Sequence, residues 1–306
     1  MDKAQKEKYK NEFKEALQLF VAGLRNHISS EDGQWTIKGF VDIYKNIYTI
    51  SPDTKIVSKI LEIHLFPEIL RFAERNGYSI VLAEMQNWYP DLTFIRKDNE
   101  DVKFALDLKT TFRRNHKTAG FTLGSHGGYF KERTKNKNIQ FPYSEYLGHY
   151  CLGVIYTRTD FDKKISDTEI LQVKEIQEQY GDMKDPVGER QVTTVESLRS
   201  IVSVIRDFDF FAAEKWKISS DSQGSGNTAN IGSIVDIYDL KNENGVFSKL
   251  GEEWFDEYWI NYGTASIVKE GEPIKITNIW DFLEFKGRDD LFDKVVAKGA
   301  KRRIIR

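Results

Sequence analysis

Apolar residues recur along the chain in patterns that predict two long helices in its first quarter. Over residues 3–24 the apolar positions follow helical spacing, at Phe13, Leu17, Phe20, Val21 and Leu24. A second helix is predicted from Asp53 or Thr54, either of which suits its N-terminal cap, to Asn76-Gly77. Pro67 interrupts this pattern and is expected to kink or divide the helix.

A hairpin is predicted next, because two strand-like stretches flank a polar turn over residues 97–101. In the second strand, alternation puts Phe104 on one face and both Asp107 and Lys109 on the other. The first strand begins at Asp91. Antiparallel pairing would therefore bring Asp91 close to Asp107 and Lys109.

The remaining pattern outlines a single domain over residues 1–306, with a core at about 35–262. Further strands are predicted at 78–83 and, as a continuous apolar run, at 150–158. A highly charged stretch at about 160–200 looks like a surface insertion, and extensions are expected at both ends of the chain.

Composition narrows the class of protein. Hydrophobic residues make up 40% and charged residues 30%, as in ordinary globular proteins. The net charge of −2 means that any nucleic-acid site must be a local basic surface, for which the basic stretch 113–137 is the candidate. The one cysteine, Cys151, allows no internal disulfide and no thiolate zinc cluster, which fits the cytoplasm. With no apolar run of membrane-spanning length, no membrane partner is expected.

Two carboxylates and a lysine around one small volume are what metal-dependent phosphodiester hydrolysis requires. Asp91 and Asp107 offer the hard oxygen ligands that Mg²⁺ prefers. Lys109 would add positive charge where the reacting phosphate gains negative charge. From these residues alone, a hairpin with a solvated face and a cross-strand ion pair fits equally well.

Other candidates also have two interpretations. Glu62 lies in the most apolar part of the second helix, either on a narrow polar face or as a third carboxylate of the metal site. Gln86 and Asn87 carry amides that suit contacts to bases, or a turn. The small polar residues over 222–234 suit a loop whose backbone approaches a partner, or a flexible turn.

Several blocks of this sequence together resemble type II restriction endonucleases of the PD-(D/E)xK nuclease superfamily. The blocks begin at Ser51-Pro-Asp-Thr, Asn87-Trp-Tyr-Pro-Asp, Ala105-Leu-Asp-Leu-Lys, Phe121-Thr-Leu-Gly, Tyr156-Thr-Arg and Gly224-Ser-Gly-Asn-Thr. They cover most of residues 51–158 and then 215–262, and the Gly224 block is the most specific of them. The resemblance implies an α/β fold with a mixed central β-sheet flanked by helices.

The resemblance also implies roles for individual residues. Asp91 and Asp107 correspond to metal-binding carboxylates, Lys109 to the catalytic lysine, and Glu62 to an additional catalytic and metal-binding carboxylate on a helix. The implied DNA contacts are Gln86, Asn87, Thr110, Thr111, Gly224, Ser225, Gly226, Asn227, Thr228 and Asn230. Ala229 departs from the threonine expected there.

The implied activity is Mg²⁺-dependent hydrolysis of both strands of double-stranded DNA at a short palindrome, GATATC, leaving blunt ends. Two-fold symmetry of the DNA site predicts a homodimer. A companion DNA methyltransferase is implied by the family only. The alternatives are a repair or nicking nuclease with the same core, a DNA-binding protein without catalysis, and a structural protein.

Overall fold

The computed structural model describes residues 1–44, 46–85, 87–159, 192–194, 201–224 and 229–303. Apart from 192–194, the predicted insertion at about 160–200 lies outside these residues. The chain divides into two compact units, the first formed by Met1–Ala22, Glu68–Val154 and Phe210–Arg306, and the second by Gly23–Pro67 and Ile155–Asp209. The prediction of a single domain remains a prediction.

Helices in the described residues are α1 (Lys3–Ile28), α2 (Thr54–Arg75), α3 (Ile237–Lys241), α4 (Glu252–Asn261) and α5 (Ile279–Phe285). The first seven strands are β1 (Gly39–Val41), β2 (Asn46–Thr49), β3 (Tyr78–Leu82), β4 (Leu92–Arg96), β5 (Asn99–Arg114), β6 (Lys117–Thr118) and β7 (Thr122–Ser125). The others are β8 (Tyr146–Arg158), β9 (Val192–Thr194), β10 (Ile205–Glu214), β11 (Ser219–Gln223), β12 (Asn230–Ser233), β13 (Ser266–Lys269) and β14 (Glu272–Lys275).

The largest sheet has the strand order β10-β8-β5-β4-β3, with β6 paired to β5. Two three-stranded sheets have the orders β11-β12-β7 and β1-β2-β9, and β13 pairs with β14. The run predicted at 150–158 is thus an inner strand, β8, although pairing extends it back to Tyr146. The architecture is α/β with a mixed central sheet flanked by helices, which confirms the predicted fold class.

An aromatic cluster joins α1 and α2 to the central sheet in the first unit. Phe13 is fully buried, and its ring stacks on that of Phe104 in β5 with centroids 4.2 Å apart. Phe72 from α2 packs edge-on against Phe94 at 5.6 Å. The apolar residues predicted along residues 3–24 therefore cover one face of the sheet. The helix α1 continues to Ile28, which is fully buried, so it is longer than predicted.

The second unit has a core of its own, around Trp35. The indole is fully buried and donates a hydrogen bond from Nε1 to His64 Nδ1 at 3.2 Å. Val57 and Leu61 of α2 are also fully buried. No helix in the described part of the chain is long and apolar enough to cross a bilayer.

Two details of the predicted elements are wrong. Of the two outcomes expected at Pro67, division of the helix is wrong, because α2 runs without a break from Thr54 to Arg75, whereas a kink stays a prediction. Proline removes one backbone hydrogen bond, and buried residues on both sides, such as Leu65 and Ile69, offset this loss. The turn of the hairpin is shorter than predicted, since β5 begins at Asn99. Strand pairing uses backbone groups, so polar side chains do not end it.

Candidate active site

The β4–β5 hairpin places the two aspartates of the site side by side. The strands pair antiparallel with Leu92 opposite Leu106 and Phe94 opposite Phe104. Asp91 precedes β4 and Asp107 follows Leu106, so the register makes them neighbours. The backbone N–H of Asp91 lies 3.3 Å from Asp107 Oδ1.

Each aspartate is held by the backbone of the opposite strand. Asp91 N donates to Asp107, and Leu108 N donates to Asp91 Oδ2 at 2.8 Å. The Asp107 side chain is 9% exposed, whereas that of Asp91 is 42% exposed. Backbone donors fix the direction of both carboxylates, which leaves Asp91 on the open side of the pair.

Lys109 completes the group on the same face of β5. Its Nζ lies 3.0 Å from Asp107 Oδ2 and 4.0 Å from Asp91 Oδ2. Burial disfavours the charged lysine, but the negative charges of Asp107 and Asp91 outweigh this and raise the pKa of Lys109 above its ordinary value. The side chain is therefore a fixed positive charge at neutral pH rather than a base.

A cleft of about 750 Å³ opens over these three residues in the first unit. Its lining includes two other predicted DNA-contact residues, Asn87 and Asn230. The cationic residues Lys131 and Lys137 also line it. Glu132 lines the cleft as well, so carboxylates and cations occur there together. The cations suit a phosphodiester backbone.

The acidic residues fit a divalent cation of the magnesium type. Among the described residues, no cluster of three or more His, Cys, Asp or Glu that could hold a metal ion is present. Asp91 and Asp107 instead form a pair of hard oxygen donors. Mg²⁺ commonly binds to one or two carboxylates and completes its shell with water and substrate phosphate. The pair fits that type of site.

Glu62 lies in the second unit, on α2. Its carboxylate is 33% exposed and accepts a hydrogen bond from Lys59 Nζ at 2.7 Å. This places Glu62 on the polar face of the helix beside Lys59, as the simpler interpretation expects. Its role as a third carboxylate stays a prediction.

The other predicted DNA contacts differ in accessibility. Thr110 is partly exposed, whereas Thr111 is buried and its hydroxyl lies 3.4 Å from Gly120 O. Gly224 leaves no room for a side chain, because a Cβ there would lie 2.4 Å from Thr122 Cγ2. Five predicted contacts lie outside the described residues: Gln86, Ser225, Gly226, Asn227 and Thr228.

Lys215 is a residue of this region that the sequence patterns did not single out. It is 3% exposed, and its Nζ lies 4.8 Å from the ring centroid of Tyr89, whose side chain lines the cleft. The rings of Phe130 and Tyr143 lie 5.6 Å away. Nζ is buried without a hydrogen-bond partner among the described residues. The signal in the sequence is a lysine placed directly after an apolar strand and before Trp216.

Replacing Lys215 with methionine should stabilise the protein at neutral pH. Burial lowers the pKa of Lys215 from 10.5 to about 8, despite the opposing charge of Asp107. Below about pH 8 the folded protein carries a buried charge, whose removal is worth up to about 3 kcal/mol at about 1.4 kcal/mol per pKa unit. Between about pH 8 and 10.5 the folded state releases this proton before the unfolded state does. Wild-type stability therefore rises with pH in that window.

Thermal unfolding of both proteins from pH 6 to 10.5 measures this effect. The gap in Tm between Lys215→Met and wild type should be largest at low pH and close above pH 8. Lys217→Met is the matched control, because Lys217 lies in the same segment but pairs with Glu214. A gap that does not change with pH would contradict the buried charge.

Comparisons with known proteins identify the family of this chain. Residues 31–191 and 180–287 match the protein family described as Restriction endonuclease EcoRV. The chain is also similar to the Type II restriction enzyme EcoRV of Escherichia coli. The two are 30% identical over 268 residues, which cover 87% of this chain and 97% of the relative. The resemblance read from the sequence blocks is confirmed.

Proposed function

The chain belongs to the EcoRV family of type II restriction endonucleases, which are DNA hydrolases, and from this we propose that it cuts both strands of duplex DNA at a short palindrome with Mg²⁺ as cofactor. The observation that carries the proposal is the group formed by Asp91, Asp107 and Lys109 in one cleft. Type II restriction endonucleases generally use a divalent metal ion. We propose Mg²⁺ because the donors are carboxylates.

In this proposal Asp91 and Asp107 hold the metal ion, and Glu62 is a further candidate ligand. When bound, Mg²⁺ would polarise the scissile phosphate and make a coordinated water more acidic. Lys109 contributes a permanent positive charge next to the carboxylates, where the reacting phosphate gains negative charge. Backbone donation fixes both carboxylates, and the Oδ2 atoms of both lie within 4.0 Å of Lys109 Nζ.

We propose that residues 224–230 recognise the DNA sequence. Asn227 offers a donor and an acceptor that match the major-groove edge of adenine, and Thr228 can place its methyl group against that of thymine. Asn230 lines the cleft, and we propose that it anchors the segment or a phosphate. We propose the target GATATC, cut at its centre to blunt ends. Gln86, Asn87, Thr110 and Thr111 are proposed as supporting contacts.

Sequencing the fragment ends of a digested genome tests this assignment. The ends should share one palindrome and be blunt. Asn227→Ala should lose about 1–3 kcal/mol or more of discrimination for each bidentate contact removed. Its non-specific binding should persist and weaken with salt, because basic residues drive it. Fragment ends without a shared palindrome would overturn the assignment, as would an Asn227→Ala enzyme that cuts the same site at full rate.

A plasmid digest separates this function from its alternatives. A restriction endonuclease yields linear DNA, a repair or nicking nuclease yields open circles, and a DNA-binding or structural protein leaves the plasmid unchanged. The intact Asp91, Asp107 and Lys109 argue against a DNA-binding protein without catalysis. The family match favours linear DNA as the product.

We propose a homodimer, in which each subunit cuts one strand. A palindromic site has two-fold symmetry, which a two-fold protein matches. The β1–β2 hairpin presents a group of exposed apolar side chains that suits a subunit contact, at Phe40, Val41, Ile43, Tyr44 and Tyr48. The solution mass should be that of two chains, and Ile43→Asp should reduce it to one.

The remaining proposals concern the cell. We place the enzyme in the cytoplasm, which suits the free, buried Cys151. A companion DNA methyltransferase that modifies the same site would protect the host genome.

A further inference from the structure

His126 holds both ends of the segment proposed to read DNA. It follows β7 directly and is 5% exposed. Its backbone N–H donates to Ala229 O at 2.8 Å, and its ring Nε2 lies 2.8 Å from the side-chain amide of Gln223. Gln223 ends β11, and Ala229 immediately precedes β12. One residue therefore bonds to the chain on each side of 224–228.

Aromatic side chains from the α4 region keep the His126 ring in place. The Trp259 ring lies 5.2 Å from it and the Tyr262 ring 5.3 Å, measured between centroids. Both side chains are buried, and Trp259 Nε1 also donates to Ser219 Oγ at 3.2 Å. Burial lowers the pKa of His126, so the ring is neutral at neutral pH. The ring is thus a fixed point against which Gln223 can be positioned.

The same residue adjoins the catalytic cleft. In the pairing of β12 with β7, Asn230 lies opposite Ser125, the residue before His126. Ser125 and Asn230 both line the cleft that contains Asp107. The backbone N–H of Gly224 also donates to Asn230 O at 2.9 Å, which closes the base of the segment. A displacement of His126 would therefore be transmitted to the cleft through Ser125.

We propose that His126 and Gln223 form a clamp that fixes the two described ends of the segment, Gln223-Gly224 and Ala229-Asn230, beside the catalytic cleft, which makes His126 a positioning residue for sequence-specific cleavage. This inference rests on the proposed function, because it takes residues 224–230 as the segment that reads DNA. Base readout requires side chains held within about 0.5 Å of the productive geometry, and such precision depends on supporting hydrogen bonds. The clamp supplies one supporting hydrogen bond at each end of this segment.

A double-mutant cycle tests the clamp. His126→Phe keeps an aromatic ring against Trp259 but removes Nε2, and Gln223→Met removes the amide at similar length. The quantity measured is the ratio of cleavage rates on the cognate palindrome and on the same duplex with one base pair changed. Each single variant should lower this ratio by about tenfold, and the double variant should lower it no further, as expected for directly coupled residues. Binding to random duplex DNA in Ca²⁺ should stay within about twofold.

His116→Phe is the matched control, because His116 is exposed and its carbonyl oxygen accepts a backbone bond from Ile237. It should keep the wild-type ratio. Gln223 is exposed, so Gln223→Met removes the contact without disturbing the core and decides the matter if His126→Phe does not fold. Additive effects of the two substitutions, or equal loss of rate on both duplexes, would overturn the clamp. An unchanged ratio in the Gln223→Met variant would also overturn the clamp, provided that the wild-type enzyme cuts a palindrome. Wild-type fragment ends that share no palindrome would instead overturn the proposed function.

Discussion

Replacing Asp107 with asparagine should abolish DNA cleavage while the fold survives. The amide oxygen of asparagine can still accept the hydrogen bond from Asp91 N, so the hairpin keeps its geometry. The variant lacks the negative charge that a magnesium site needs. The rate should fall by at least about a thousandfold, since a bound metal supplies several kcal/mol of transition-state stabilisation and about 1.4 kcal/mol is tenfold in rate.

Single-turnover cleavage over a range of Mg²⁺ concentrations measures this loss, and calorimetry with Mg²⁺ measures binding of the metal. High Mg²⁺ should not restore the rate, because Asp91 alone would remain of the carboxylate pair. Asp98→Asn is the matched control on the same hairpin. Asp98 is 67% exposed and pairs with Arg96, so its loss should leave cleavage unchanged. An Asp107→Asn enzyme that cuts at the wild-type rate would remove Asp107 from the metal site.

Replacing Lys109 with glutamine should reduce cleavage by about a hundredfold to a thousandfold, as expected for loss of one group that stabilises developing charge. Affinity for DNA in Ca²⁺ should change little, because the charge acts mainly on the transition state. Binding of the divalent ion should become tighter. Lys109 Nζ lies 3.0 Å from Asp107 Oδ2 and 4.0 Å from Asp91 Oδ2, so it competes with a cation for these oxygens.

Cleavage in Mg²⁺ and DNA binding in Ca²⁺ are therefore measured in parallel. Lys103→Gln is the matched control, because Lys103 lies on the same strand and its charge pairs with Glu145 at 3.2 Å, outside the cleft lining. If the Lys109 variant loses binding and cleavage by the same factor, the lysine is a DNA-binding residue and not a catalytic one.

The central hairpin was predictable because its signals are local. The alternation around Phe104 and Asp107 gave the faces of β5, and antiparallel pairing across a short turn then brought Asp91 alongside. The stripe containing Phe13 gave the buried side of α1 for the same reason. What alternation did not give was the reciprocal bonding from Leu108 N and Asp91 N, which depends on backbone geometry.

Contacts between distant parts of the chain were not predictable. Lys215 lies against Tyr89, 126 positions earlier, and nothing near either residue indicates that the two meet. Gln223 and His126 are likewise 97 positions apart. Division of the helix at Pro67 was wrongly expected because the local rule for proline ignores the packing that supports α2 on both sides.

During synthesis the parts of the cleft leave the ribosome in a fixed order. Asp91, Asp107 and Lys109 emerge early, on a hairpin whose strands are adjacent in sequence. The sheet that contains them also needs β8 and then β10, which ends at Glu214, and Asn230 reaches the cleft later still. A growing chain therefore carries the acidic pair long before its sheet is complete. The cleft is complete only after Asn230 has been made, so nuclease activity requires most of the polypeptide.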